Sequence, residues 1–341
     1  MNAVRIHSHG GPEVLRFEQV EDPPLRPSTA LVRVRACALN HLDIWVRRGI
    51  PGARISLPRI PGSDISGEIE AIDGRSQFST GQRVMLSPGV SCGRCRRCLA
   101  GEDNLCRSYT LFGYGIDGGY AEKICAPLEN LIELDEALSF EQGAAFPLVF
   151  LTAWHMLVSR ARIQPGEEIL ILGANSGVGS AAIQIAKLFR CHVIATAGNE
   201  AKAAAAVTLG ADIVIDHYRE SISEKVRDIT GKKGVDVVFE HVGKTTWKES
   251  LLSLAAGGRL VTCGATTGYA AETDIRYVFS KQLSILGCYV GSKVELLEAC
   301  RFLRAGLLTP VVDRSFPLEQ ARQAHQYLEE GKQFGKVVLC I

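Results

Sequence analysis

A chain of 341 residues with 46% hydrophobic and 22% charged residues has ordinary globular composition and is long enough for two domains, each with its own core. A net charge of +1 excludes the basic excess that a dedicated nucleic-acid or membrane-surface protein carries, which leaves a small molecule as the expected partner. The opening MNAVRIHSHGG has neither a signal-peptide core nor a transit-peptide pattern, and no apolar run is expected to reach the ~20 residues of a bilayer span; a cytoplasmic protein with no membrane or nucleic-acid partner is expected.

Through residue 140 the pattern is short and alternating, as in Leu31 to Cys37, Ile65 to Ile72, Arg83 to Leu86 and Tyr120 to Cys125. Period-two alternation broken by Pro and Gly describes half-buried antiparallel strands, so this part is read as a β-rich domain. Within it, Cys92, Cys95, Cys98 and Cys106 form a Cys-x2-Cys-x2-Cys-x7-Cys run. Four thiolates so close, on sequence that builds no core, can wrap one tetrahedral Zn²⁺ and leave no open position, which makes the site structural. Arg94, Arg96 and Arg97 offset its negative charge. Reduced surface thiols, two disulfides and an iron–sulfur cluster are the alternatives; the cluster's usual third gap is x3.

From about residue 149 short apolar strands alternate with helical stretches, the grammar of a parallel sheet covered on both faces. Ile169 to Leu172 reads as a strand, Gly173 to Gly179 as a tight turn, and the following residues as a helix. Bare amides in such a turn, at the positive end of a helix, hold a dinucleotide pyrophosphate. The apolar strand Leu283 to Tyr289 is an exposed edge that association would cover. After about residue 295 come helices over Glu295 to Ala305 and near Leu318 to Glu330, then a closing strand Lys336 to Ile341. A lone terminal strand is no domain, so it is expected to return to the first sheet.

The cysteine loop, Leu39-Asn-His-Leu-Asp43, Ile60-Pro-Gly-Ser-Asp64, the Gly166 to Gly179 stretch and the ending Phe334-Gly-Lys-Val-Val338 together resemble the medium-chain dehydrogenase/reductase superfamily over essentially the whole chain. The resemblance implies an α/β protein: a GroES-like β-rich catalytic domain over 1–148 and 296–341, with its structural zinc loop at 92–106, and a Rossmann doubly wound parallel-sheet domain over 149–295. It also implies a homodimer or homotetramer.

Where zinc alcohol dehydrogenases of this superfamily carry their catalytic ligands, this chain aligns Asn40, Ser63 and a position near Leu148. A catalytic zinc needs three protein ligands and an open position, so the resemblance implies that the structural zinc is kept and the catalytic one lost. An improvised site from His41, Asp43, Asp64 and His155 ranks low. Without a Lewis acid, hydride addition to a substrate already activated by conjugation, a quinone, enone or enal, is the expected chemistry. Asn40 is expected to donate to the substrate oxygen, Asp43 to orient Asn40, and His41 to reach the pyrophosphate, while Trp45 lines the pocket. An alcohol or aldehyde dehydrogenase with an atypical or metal-free site, and a nucleotide-binding protein without turnover, are the competing readings.

For the cofactor, the turn reads Ala174-x-Ser176-x-x-Gly179 after Gly173, with Gly177 and Val178 inside it, a form usual in the quinone oxidoreductase branch. The second strand ends at Ala197, where domains that prefer NAD place an acid on the ribose 2′-OH. Lys202 and Tyr218 stand where relatives recognise a 2′-phosphate, so NADP(H) is the first choice; NAD(H) stays open because Glu200 is close by. Thr152, the backbone near Val242 and Gly264, and Lys336 complete the expected cofactor contacts.

Overall fold

The computed structural model describes residues 1–341, and the chain divides into two compact units. The first is Met1–Leu148 with Ser292–Leu296 and Thr309–Ile341; the second is Val149–Gly291 with Leu297–Leu308. Residues 297–308, assigned by the sequence reading to the β-rich domain, therefore group with the second unit, where the Phe302 ring lies 5.3 Å from Trp154. The crossover helix Lys293–Arg304 is thus shared between the two units.

The first unit is built on a seven-stranded sheet in the order Val312–Pro317, Lys336–Cys340, Thr29–Ala38, Asp64–Asp73, Arg83–Leu86 and Leu131–Glu133, with Lys123–Pro127 also paired to Thr29–Ala38. Alternation along Thr29–Ala38 decides which side meets the core: Val32 and Val34 are buried, whereas Arg33 and Arg35 project outward to Glu70 and Glu68 on the neighbouring strand. The closing strand pairs antiparallel with Thr29–Ala38, placing Val338 opposite Ala38. Its two faces are both covered, Val337 and Leu339 by the main core and Val338 by Ala36, Ala38 and Ala144.

The second unit is a six-stranded, all-parallel sheet in the order Ile213–Asp216, His192–Ala197, Glu168–Ile171, Val235–Glu240, Leu254–Thr262 and Ser284–Gly287. In sequence order that is 3-2-1-4-5-6, the doubly wound arrangement whose ligands bind beyond the carboxyl ends of the strands. One helical run, Phe140–Arg160, is long and apolar enough for a membrane span, contrary to the sequence expectation, yet 67% of its most apolar window is buried inside the protein. A core helix passes the same test.

Candidate functional site

In the first unit, helix His41–Arg48 starts directly after strand Thr29–Ala38, and strand Asp64–Asp73 runs beside it in register, Ala38 opposite Asp64. That pairing brings Asn40 and Asp64 together, and the closing strand adds Lys336. Asn40 Nδ2 donates to Asp64 Oδ2 at 2.9 Å, and Lys336 Nζ donates to Asn40 Oδ1 at 2.6 Å and to Asp64 Oδ2 at 2.9 Å. All three side chains are buried. Asp64 Oδ1 accepts the Leu148 N–H at 2.8 Å, so every strong acceptor in the cluster is engaged.

Asp43 does other work than expected. Its carboxylate accepts the backbone N–H groups of Asn40 (2.7 Å) and Gly62 (2.9 Å) and so ties the helix start to the Gly62-Ser63-Asp64 turn; Asp64 and Lys336, not Asp43, orient the Asn40 amide. Burial pushes the Asp43 carboxyl up to about 6, with those two donors and Lys336 opposing the rise. Lys336, expected on the cofactor, has its ammonium committed to Asn40 and Asp64. His41 is exposed, its ring edge-on to Trp45 at 5.3 Å, so the structure does not gather it into the cluster. Ser63 Oγ donates to Phe112 O at 2.7 Å. No third carboxylate, imidazole or thiol joins this set within reach of one ion.

The floor of the cluster is rigid. Gly62 has φ +99°, and a Cβ there would stand 2.5 Å from the Tyr120 ring and 2.6 Å from Cys37 Sγ. Tyr120 OH meets His325 Nε2 at 3.0 Å, and Arg47 Nη1 meets His325 Nδ1 at 3.1 Å. A guanidinium only donates, so Nδ1 accepts and Nε2 carries the proton. Burial, then Arg47, lowers His325 to about 3 and keeps it neutral.

In the second unit, the turn after Glu168–Ile171 is stitched from inside. Gly173 N–H donates to Thr196 Oγ1, Ala174 N–H to Thr196 O, Ser176 N–H to Gly173 O, and Gly179 N–H to Ser176 Oγ, the N-cap of helix Gly177–Leu188. Gly177 and Val178 open that helix, where amides have no intrahelical acceptor, so they are the donors this turn offers a phosphate. Gly179 has no alternative, because a Cβ there would lie 2.3 Å from Gly173 O. Val242 N–H is held by Glu240 Oε1 at 2.6 Å, and Gly264 packs against His241 O. Thr152 is half-buried on helix Pro147–Trp154.

At the end of His192–Ala197, Ala197 is buried and lies opposite Asp216. Ala197 itself carries no carboxylate and the acid beside it, Asp216, ends the neighbouring strand; Glu200 sits in the first turn of helix Glu200–Thr208, with Lys202 N–H capped by Asn199. Instead two rings close over Gly198: a Cβ there would meet Tyr218 Cε2 at 2.6 Å and His217 Nε2 at 3.3 Å. Sequence reasoning named Tyr218 and missed His217, because only the register Ala197 to Asp216 brings it there. Asp64 and Lys336 were visible as motif residues, but their mutual contact was not.

The four loop cysteines converge. Their sulfurs all lie within 4.8 Å of one another, with Sγ–Sγ distances of 3.9 Å for Cys92–Cys98, 3.5 Å for Cys95–Cys98 and 3.6 Å for Cys92–Cys106. A tetrahedron with Zn–S of ~2.3 Å has edges of about 3.8 Å, whereas a disulfide would need about 2.05 Å. The donor set fits zinc. Amides of Arg94 and Cys95 on the Cys92 sulfur lower its thiol to about 6, favouring the thiolate that binds metal.

A Rossmann unit with a phosphate-binding turn, joined to a β-rich unit with a buried polar cluster and a four-thiolate loop, defines an NAD(P)-dependent oxidoreductase. Residues 26–136 match the alcohol dehydrogenase GroES-like domain and residues 177–305 the zinc-binding dehydrogenase family. A quinone oxidoreductase of Pongo abelii is 33% identical over all of this chain and 98% of its own. An NAD-dependent alcohol dehydrogenase of Sulfolobus acidocaldarius is 30% identical over the full length of both. The crystal structure of an NAD-dependent alcohol dehydrogenase superposes with a TM-score of 0.97 at 45% identity, covering both chains completely. The chain belongs to the medium-chain dehydrogenase/reductase superfamily.

Proposed function

We propose that this protein transfers hydride from NADPH to a quinone, enone or other activated double bond without a catalytic metal, and holds one structural zinc per chain at Cys92, Cys95, Cys98 and Cys106. The observation that carries the reading is the Lys336 ammonium between Asn40 Oδ1 and Asp64 Oδ2. A fixed cation already meets the donors that would face a metal there, and Ser63 and Leu148 supply no further ligand.

The bound dinucleotide supplies the hydride. The chain's own contribution is to stabilise the negative charge that hydride addition leaves on the substrate oxygen. One Asn40 Nδ2 hydrogen is held by Asp64; the other has only Ala38 O at 3.5 Å, too long to satisfy it, and is the donor offered to that oxygen. Lys336 draws electron density from the amide through Oδ1 and makes the donor stronger. Gly177 and Val178 amides, with the helix behind them, hold the pyrophosphate. The exposed edge strand Ser284–Gly287, flanked by exposed Phe279 and Tyr289, is proposed to pair with its copy in a homodimer or homotetramer.

A second reading, NAD-dependent alcohol or aldehyde oxidation, is favoured by the names of the two alcohol dehydrogenases above. A screen of NADPH and NADH against 1,4-quinones, enones, aldehydes and primary alcohols separates the two. Chelator-resistant reduction of quinones or enones supports the first; chelator-sensitive alcohol oxidation with two zincs per chain overturns it. Asn40→Ala is expected to lower the reductive rate at unchanged zinc content.

A further inference from the structure

Helix Ala321–Glu329 carries His325 and Glu329 one turn apart on the same face, and both close on Arg47. Arg47 is fully buried near the end of helix His41–Arg48. Its Nη1 donates to His325 Nδ1 at 3.1 Å, its Nη2 to Glu329 Oε1 at 2.5 Å and its Nε to Gly10 O at 3.2 Å. Because a guanidinium can only donate, it fixes the imidazole tautomer, and the remaining Nε2–H is given to Tyr120 OH at 3.0 Å. The hydride chemistry above uses none of these three side chains.

We propose that His325 is a positioning residue for Asn40: one buried imidazole holds, through Tyr120 and through Arg47, the two segments that fix the donor amide. The inference rests on the Asn40 role proposed above and deepens it. The first branch runs through Tyr120. Tyr120 N–H donates to Pro61 O at 3.0 Å and Gly119 N–H to Gly62 O at 2.9 Å, which ties this stretch to the Gly62-Ser63-Asp64 turn. A Cβ on Gly62 would stand 2.5 Å from the Tyr120 ring, so the turn has no room to sink while that ring stays in place. The Tyr120 and His325 rings meet edge-on with centroids 5.7 Å apart. Above them, Gly62 N–H and Asn40 N–H share the Asp43 carboxylate, and Asp64 at the end of the turn holds the Asn40 amide. The second branch runs through Arg47, about two turns along the helix that Asn40 caps. Gripping Arg47 from Ala321–Glu329 sets where that helix starts. Both branches therefore end on Asn40. A donor to a developing oxyanion acts only where it is held, and a misplacement of about 1 Å costs roughly a hundredfold in rate.

The test uses the full-length, zinc-loaded protein at a temperature where every variant is folded by circular dichroism. H325L removes both hydrogen bonds, Y120F removes only the hydroxyl and keeps the ring under Gly62, and H325Q restores one acceptor and one donor. H325L and Y120F are each expected to lower kcat about tenfold to a hundredfold with NADPH affinity and zinc content unchanged, and the double variant to lose little more than H325L alone. H325Q should recover part of the loss. Leu251→Ala, a core deletion in the second unit, should lower stability and leave kcat unchanged, which separates positioning from folding. Without substrate, the side-chain NH2 resonance of Asn40, identified by its absence from Asn40→Asp, should move in H325L. A kcat of H325L and Y120F equal to the wild type's, a loss in H325Q as large as in H325L, or an unmoved Asn40 resonance would each overturn the proposal. Because kcat is read on whichever reaction of the screen above the protein catalyses, failure of quinone and enone reduction overturns the proposed function and leaves the role of His325 standing.

Discussion

Lys336 Nζ lies 2.9 Å from Asp64 Oδ2, with 4% and 0% of the two side chains exposed, although 272 residues separate them in sequence. A pair so buried is costly to break from one side, because the survivor keeps its charge without a partner. Lys336→Met is expected to destabilise the protein by about 3–5 kcal/mol in urea unfolding and to lower kcat for enones. Asp64→Asn added to Lys336→Met should recover part of that stability. A Lys336→Met protein that reduces enones as well as the wild type and shows only weakened NADPH binding would return Lys336 to the cofactor role the sequence suggested.

Asp43 gives a pH signature of known sign. Its carboxyl stands at about 6 in the folded protein, above the ~3.9 of an unfolded aspartate, so its contribution to stability is fully present below that lower value and is lost as pH rises through 6. The difference amounts to up to about 3 kcal/mol. Unfolding free energies of Asp43→Asn, subtracted from those of the wild type between pH 4 and 7, should trace this loss; a flat difference would place the carboxyl at its ordinary value.

Gly179→Ala drives a methyl group toward Gly173 O, which a Cβ would approach to 2.3 Å. The turn must open to relieve it. A loss of about 1–3 kcal/mol in stability and at least a roughly tenfold weaker NADPH affinity are expected, read by unfolding and by fluorescence titration. Ser176→Ala, which removes the cap on Gly179 N–H, should cost about 1 kcal/mol.

The cysteine loop is expected to hold one zinc per chain by metal analysis, in a colourless protein, and the cobalt-substituted form should show the visible bands of a tetrahedral four-thiolate site. Cys95→Ser should release the metal and lower the melting temperature. An intensely brown protein would instead indicate an iron–sulfur cluster.

Ile285→Lys places a charge on the exposed edge strand, where Ile285 is 41% exposed. If that edge pairs with its copy, light scattering after gel filtration should show a smaller assembly than the wild type, with NADPH affinity unchanged. An assembly of unchanged size would put the contact elsewhere.

Sequence alone determined the elements whose signals are local. Period-two alternation marked the strand around Val32 and Val34, the switch at Gly173 marked strand, turn and helix, and Cys-x2-Cys-x2-Cys-x7-Cys marked the four-thiolate cluster, since each depends on neighbours within a few residues. The family resemblance further led to the expectation that Asn40 and Ser63 occupy the positions of metal ligands. Only the tertiary structure decided what faces them. The register of Ala38 against Asp64 on one side and Val338 on the other brings Lys336 to Asn40 and Asp64, and the register of Ala197 against Asp216 carries His217 over Gly198. Strand pairing joins residues far apart in the chain, and a shift of one residue turns a side chain to the opposite face, so no local pattern encodes either meeting.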